Sequence, residues 1–238
     1  MHEFNFLIWL GERVMLLSWI NEDTIHIASA GFVAVVLLLL AFIANRSLRL
    51  AERHIVPSKR FSIAGLFDAA SEGVLKLMEG VMHERAIKFL PLIGSVFFYI
   101  FFCNLLSLIP GFVPPTDNIN TNLPCSVTVF IYYNIMGIKE HGVKGYLKHF
   151  AGPIIWLAPL MFSIEIISHC VRPISLSVRL FGNITGDHMV LGMFSGLIPL
   201  FVPVIFLLLA LFVAFIQAFV FSLLSSVYIA LATEHEGH

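Results

Sequence analysis

Long apolar runs separated by short charged segments dominate the sequence. Residues 24–45, 89–110, 118–138 and 203–233 contain no Lys, Arg, Asp or Glu. A membrane-spanning helix needs about 20 mostly apolar residues, so each run is long enough for one crossing. Residues 152–196 are also largely apolar but carry a line of polar groups, and we expect a fifth crossing helix there.

Apolar and polar residues alternate at helical spacing between residues 57 and 86, as at Leu66, Phe67 and Val74. This pattern predicts an amphipathic helix that lies on the cytoplasmic surface of the membrane rather than crossing it. Residues 1–23 mix apolar and charged positions and predict a segment on the outer side. The chain as a whole is therefore predicted to be one all-α polytopic membrane domain, with five transmembrane helices and one amphipathic surface helix.

The loop charges orient this arrangement. Arg46 and Arg49 follow the first run, and Lys139 and Lys144 follow the third, whereas residues 116–122 contain neither Lys nor Arg. Because basic loops stay on the cytoplasmic side, the amino terminus is predicted outside and the carboxyl terminus inside.

The composition agrees with a membrane protein and excludes several other classes. The residues are 58% hydrophobic and 12% charged, about half the charged fraction of a soluble domain. The net charge of −1 is uninformative about nucleic acid, but no basic tract or interleaving of aromatic and basic residues suggests a nucleic-acid-binding protein. Cys103, Cys125 and Cys170 are too few and too scattered for a disulfide framework, and no spacing indicates a metal site or a cofactor.

The fifth stretch contains the main candidates for function, because an ionisable group at bilayer depth costs at least a few kcal/mol. At about 100° per residue, six polar residues lie within roughly 40° of a common line on one helix. They are Glu165, His169, Arg172, Arg179, Asn183 and Asp187. Such a stripe favours an ion path or a contact with a partner's buried charge. Pro173 predicts a bend or access for water within it.

Two interpretations are open for these groups. Arg179 stays protonated at any working pH. It either pairs with Glu165 or Asp187, both too far along the helix for an i,i+4 contact, or serves a mobile ion or a carboxylate of another subunit. Glu165 and His169 are at i,i+4 and can pass protons, or they form a structural cluster with Arg172.

A second polar group is predicted near the outer face. It consists of Asp117, Asn118, Asn120, Asp187 and His188. For the loop residues, ordinary turn chemistry is the alternative. Gln217 is a single amide in the last apolar run and either serves the ion path or simply bonds a neighbouring helix.

The run Arg172-Pro-Ile-Ser-Leu-Ser-Val-Arg-Leu-Phe-Gly-Asn183 resembles the signature of subunit a of F-type ATP synthases. Pro115-Thr-Asp-Asn-Ile-Asn-Thr121 and Gln217-Ala-Phe-Val-Phe221 are similar to the same family, and the resemblance covers essentially the whole chain. Within the signature, Arg172 and Ser175 are expected to be structural.

The resemblance implies a noncatalytic, proton-translocating subunit of a hetero-oligomeric ATP synthase in the bacterial inner membrane. It implies as partners the ring of c subunits, the b subunits of the peripheral stalk and membrane lipid. The last two helices would form a long hairpin against the ring. Two offset half-channels would deliver protons to the ring carboxylates and remove them, which couples proton flow to rotation.

Single residues also match functional positions of the family. Arg179 matches the essential arginine that faces the ring carboxylate, and Asn183 and Gln217 match its polar neighbours. Glu165 and His169 match the inner half-channel.

The outer half-channel is matched less completely. Asn118 and Asn120 match its opening, and His188 matches an ionisable position. Ala210 stands where some members have a second ionisable residue, and Ser107 where well-known bacterial members have an acid. Asp187 is the candidate substitute on the outer side.

Other functions stay open on the sequence. A sodium-translocating version of the same subunit differs mainly in ring ligands, which this chain does not contain. A secondary carrier would use the polar stripe as its own substrate site, but the sequence has no internal repeat of the inverted-repeat type. A membrane-embedded hydrolase lacks a nucleophile with a base at workable spacing.

Overall fold

The computed structural model describes residues 24–51, 63–109, 111–151, 158–195 and 201–233, together with Leu7. The long helices in this part of the chain are α1 (Ile25–Ala51), α2 (Ile63–Met82), α3 (Ala86–Leu105), α4 (Ile119–Ala151), α5 (Ala158–Ser195) and α6 (Phe201–Thr233). Short 3-10 turns lie at His83–Arg85, Leu106–Leu108 and Pro115–Asp117. All regular structure in the described residues is helical, which confirms the all-α prediction for them. Apart from Leu7, the predicted outer segment 1–23 lies outside the described residues.

Three stretches of the described residues are long and apolar enough to cross a membrane. They are Ile25–Ala44, Gly65–Leu108 and Val204–Thr233, and they overlap three of the predicted crossings. With 33 and 38 residues, α4 and α5 exceed the length that a crossing needs. Because α4 and α5 contain polar residues, they are not among the three stretches that are apolar enough. The crossings predicted at residues 118–138 and 152–196 therefore stay predictions.

The predicted amphipathic segment forms α2, which ends at Met82 rather than at residue 86. Residues 57–62 of that prediction lie outside the described residues. Its buried line runs through Val74, Met78 and Met82 at four-residue spacing. Leu66, predicted on the apolar face, is instead 67% exposed. The helix ends because His83 adopts a positive φ of 52°, and the chain turns there into α3.

The core forms where α3 meets the helices around it. From α3, Phe89, Ile93 and Ile100 are almost fully buried, and they cluster with Tyr133 of α4 and Phe221 of α6. These contacts hold α4 and α6 in place on α3, and α4 and α6 provide the surface on which α5 packs.

The packing of α5 decides the direction in which its polar residues point. The helix continues through Pro173 without interruption, and Ser177 Oγ donates to the Pro173 carbonyl oxygen at 2.9 Å. Leu176, Leu180 and Ile184 are buried at four-residue spacing, so they anchor one face. The polar residues Ser175, Arg179 and Asn183 each come one position before one of these buried residues. Consecutive residues on a helix point about 100° apart, so these polar side chains lie beside the buried face. The predicted stripe therefore lies on a single helix, along one side of its buried face.

A glycine divides α4 into two helical segments. Gly142 has φ 70° and ψ 163°, a conformation that residues with side chains rarely adopt. The chain changes direction there, so that Tyr146 packs against Gly137. The charged segment that contains Lys139 and Lys144 is predicted as a loop, but the structure forms helix on both sides of Gly142. One residue at positive φ is enough to turn the chain there.

The contacts between helix termini define the two ends of the helix bundle. Arg85 Nη1 donates to the Thr233 carbonyl oxygen at 2.7 Å, and Lys88 Nζ lies 3.2 Å from Glu140 Oε1. We call this the Arg85 end. Arg85 stabilises α6 there, because a cation at a helix C-terminus interacts favourably with the last carbonyls. The turn Pro115–Asp117 and the C-terminal half of α5 meet at the other end of α3, which we call the Asp117 end.

Candidate functional site

A cleft of about 120 Å³ that contains several titratable side chains lies at the Arg85 end, between α4, α5 and α6. It is lined by His141, Tyr146, Glu165, His169, Arg172, Leu231 and Ala232. We call it the inner cleft. Arg172 Nη2 donates to Glu165 Oε1 at 3.5 Å, and the guanidinium carbon lies 5.0 Å from the centre of the Tyr228 ring. The predicted Arg172–Glu165 contact is therefore present, and it supports one wall of the cleft.

The imidazole of His169 is bonded to α4. Its Nε2 lies 3.1 Å from Asn134 Oδ1 and 3.2 Å from the Tyr146 hydroxyl, which itself donates to Asn134 Oδ1 at 2.9 Å. Burial raises the pKa of the Tyr146 phenol, so its hydroxyl remains a hydrogen-bond donor. The inner cleft thus combines a carboxylate, an imidazole and a phenol, which are groups that hold and transfer protons.

A larger open groove of about 460 Å³ lies between α5 and α6, nearer the Asp117 end. It is lined by Gly182, Asn183, Gly186, Asp187, Leu209, Phe212, Val213, Ile216 and Gln217. We call it the outer groove. Asn183 Nδ2 donates to Gln217 Oε1 at 2.7 Å, so the two predicted amides join the helices. Asp187, one turn beyond Asn183, provides the carboxylate of the outer groove.

The Asp117 carboxylate links the turn Pro115–Asp117, predicted on the outer side, to α5. Thr185 Oγ1 donates to Asp117 Oδ1 at 2.9 Å, and His188 Nδ1 lies 3.9 Å from Asp117 Oδ2. Asp187 and His188, which the sequence groups together, therefore have different neighbours. Consecutive residues point about 100° apart on a helix, so Asp187 faces the outer groove while His188 faces the turn Pro115–Asp117.

The asparagines of the outer loop make local bonds. Asn118 Oδ1 accepts a hydrogen bond from the Asn120 backbone N–H at 2.9 Å, just where α4 begins. This is the geometry of a helix N-cap, which satisfies an otherwise unpaired backbone donor. Asn122, which the sequence did not single out, is buried and donates to the Thr116 carbonyl oxygen at 2.8 Å. These contacts fit the turn-chemistry interpretation of Asn118 and Asn120.

Arg179 lies between the two cavities and lines neither. No hydrogen bond or ion pair joins its guanidinium to any residue that the structure describes. Glu165 contacts Arg172 instead, and Asp187 lies at the outer groove. The interpretation of Arg179 as paired with Glu165 or Asp187 is therefore not supported by the described contacts. Among residues 173–181, which span about 13 Å of helix, it is the only charged residue.

Several residues at these sites were missed by the sequence reasoning. They are Asn134, His141, Tyr146 and Thr185. Tyr146 reaches the cleft because of the turn at Gly142, which no periodic pattern indicates. Ser175, predicted as structural, is exposed on α5. The described residues contain no group of three potential metal ligands.

Comparisons with known proteins identify the family of the chain. The sequence profile described as ATP synthase A chain matches residues 27–230. The chain is 44% identical to ATP synthase subunit a of Bdellovibrio bacteriovorus, over 93% of this chain and 96% of that protein. It is 43% identical to ATP synthase subunit a of Geotalea daltonii, over 100% of this chain and 99% of that protein. The chain belongs to the ATP synthase A chain family.

Proposed function

We propose that this chain carries protons to and from a rotating ring of c subunits through two offset half-channels. The observation that supports this proposal is the pair of separate cavities along α5, each lined in part by polar side chains, with Arg179 between them. As a family member, the chain is a membrane component of a multi-subunit ATP synthase, takes part in ion transport and is not itself catalytic.

The proposed path starts at the Asp117 end. A proton passes the Asp117–His188 pair, enters the outer groove near Asp187 and neutralises a ring carboxylate. The neutral carboxyl group can then turn into lipid, because burying it uncharged costs far less than burying it charged. After nearly a full turn of the ring, the carboxyl group reaches the inner cleft and releases its proton through His169 and Glu165.

Arg179 keeps the two half-paths apart. A fixed guanidinium attracts the emptied ring carboxylate and holds it ionised. The same positive charge opposes direct passage of a proton between the outer groove and the inner cleft. The transmembrane potential contributes about 2.3 kcal/mol per charge per 100 mV, so several protons are needed for each ATP.

The proposed topology has five crossings, with the amino terminus outside and the carboxyl terminus in the cytoplasm of a bacterial cell. The contacts between helix termini support it. Arg85, Lys88 and Glu140, which the charge pattern assigns to the cytoplasmic side, meet at one end of the bundle. The turn Pro115–Asp117, in the loop that contains no Lys or Arg, lies at the other end.

The test of this function uses the intact complex. We expect the affinity-tagged chain to co-purify with a ring of small hairpin proteins and with the stalk b subunits. We also expect ATP to drive proton uptake into inverted membrane vesicles in buffer without sodium. A strict requirement for sodium would instead identify the sodium-translocating version. Transport by the purified chain alone would identify a carrier and contradict the proposal.

A further inference from the structure

Tyr146 and Asn134 meet His169 at the wall of the inner cleft, although the three residues are far apart in sequence. We propose that Tyr146 and Asn134 are positioning residues, which hold the His169 imidazole in one orientation for proton release into the cytoplasm. This inference rests on the proposed function of the inner cleft and specifies which side chains of α4 orient the imidazole.

Hydrogen bonds connect each of the three side chains of Asn134, Tyr146 and His169 to the other two. Asn134 Nδ2 donates to the Phe130 carbonyl oxygen at 2.7 Å, which leaves its Oδ1 directed at the other two side chains. That oxygen accepts from the Tyr146 hydroxyl at 2.9 Å and lies 3.1 Å from His169 Nε2. An acceptor at this distance favours the tautomer with its proton on Nε2.

Aromatic contacts restrict the imidazole further. The ring of Phe130 lies 5.5 Å from the His169 ring, and the ring of Tyr133 lies 5.2 Å from it, both in edge-to-face geometry. Rotation of the imidazole would therefore break two polar contacts and two ring contacts together. All of these contacts come from α4, so this helix sets the orientation of a side chain that belongs to α5.

The position of Tyr146 is determined by packing as well as by its hydroxyl. A Cβ added at Gly137 would lie 2.6 Å from Tyr146 Cε2 and 3.0 Å from the Ala232 carbonyl oxygen, so the ring occupies the space that this glycine leaves open. The positive φ of Gly142 allows the chain to return and bring the ring there. Because Tyr146 is buried, replacing it by phenylalanine removes the hydroxyl while the ring keeps its place.

The experiment compares Tyr146→Phe, His169→Gln and the double variant in the whole ATP synthase. ATP-driven proton pumping is measured in inverted vesicles and normalised to the amount of assembled chain. We expect Tyr146→Phe to lower the pumping rate about threefold to tenfold, the size of one lost hydrogen bond. The double variant should pump no more slowly than His169→Gln alone, because the hydroxyl acts through the imidazole.

Tyr132→Phe is the matched control, since it removes a hydroxyl from the same helix at a residue that does not line the inner cleft. Its pumping rate should equal that of the wild type. Wild-type pumping by Tyr146→Phe would overturn the inference, and so would a double variant whose loss is the product of the two single losses. Normal pumping by His169→Gln would also overturn it, and would remove His169 from the proposed release path. The half-channel proposal is tested separately, and it fails if the wild-type complex does not pump protons in buffer without sodium.

Discussion

Replacing Arg179 by alanine should abolish ATP synthesis and ATP-driven proton pumping while the chain still assembles into the membrane complex. The guanidinium has no partner within the part of the chain that the structure describes. Its proposed partner is a ring carboxylate, and removing one member of a buried ion pair costs about 3–5 kcal/mol. That cost corresponds to a loss of roughly a hundredfold to several thousandfold in rate.

Assembly should survive this substitution because other residues hold α5 in place. Leu176, Leu180 and Ile184 are the buried face of the helix, and alanine at position 179 leaves them unchanged. Arg172→Ala is a matched control, since Arg172 already has Glu165 and Tyr228 as neighbours. We expect it to reduce the rate without abolishing coupling. Normal coupled synthesis by the Arg179→Ala enzyme would contradict the assignment.

The second large effect concerns the outer half-path. The double variant Asp187→Asn/His188→Ala should slow proton pumping by about a hundredfold or more, which is the size expected when groups that transfer protons are removed. It removes the carboxylate of the outer groove and the imidazole beside Asp117 at once. The measurement is ATP-driven proton uptake in inverted vesicles, normalised to the amount of chain.

The single variants separate the two contacts, because Asp187 and His188 have different neighbours. If the outer groove is the main route, Asp187→Asn alone should account for most of the loss. His188→Ala should then have the smaller effect, similar to that of Asp117→Asn. Asn118→Ala is the control from the same loop, since its side chain bonds the Asn120 backbone. Wild-type transport by the double variant would rule out this outer route.

Much of the fold follows from patterns that a single helix displays by itself. The uncharged runs predicted the apolar parts of α1, α3 and α6, and the periodic spacing predicted α2. The placement of Arg179 on one helix with Glu165, His169 and Asp187 also follows from the 3.6-residue period. The exposed position of Leu66 could not be predicted, because hydrophobicity alone does not say which neighbour a surface helix meets.

The missing parts of the site depend on contacts between helices. Tyr146 reaches His169 only because Gly142 adopts a positive φ and Gly137 leaves room for the ring. Glycines occur in many loops, so the sequence does not indicate that these two act together. Likewise, the pairing of Thr185 with Asp117 joins positions 68 residues apart. Such contacts arise from the packing of helices against each other, which no local sequence pattern indicates.

The central claim is that the face of α5 around Arg179 meets the ring carboxylate. It is tested most directly by disulfide formation in the assembled complex, because two cysteines form a bond only when their Cα atoms lie about 4–7 Å apart. One cysteine replaces Gly182, where an added side chain meets nothing within 4 Å. The other is placed beside the carboxylate of the ring protein, and Cys170 is changed to serine to remove an exposed thiol.

The control replaces Leu38, which is 71% exposed on α1. We predict a cross-linked product from Gly182→Cys and none from Leu38→Cys. No product from Gly182→Cys, or an equal yield from both positions, would contradict the claim.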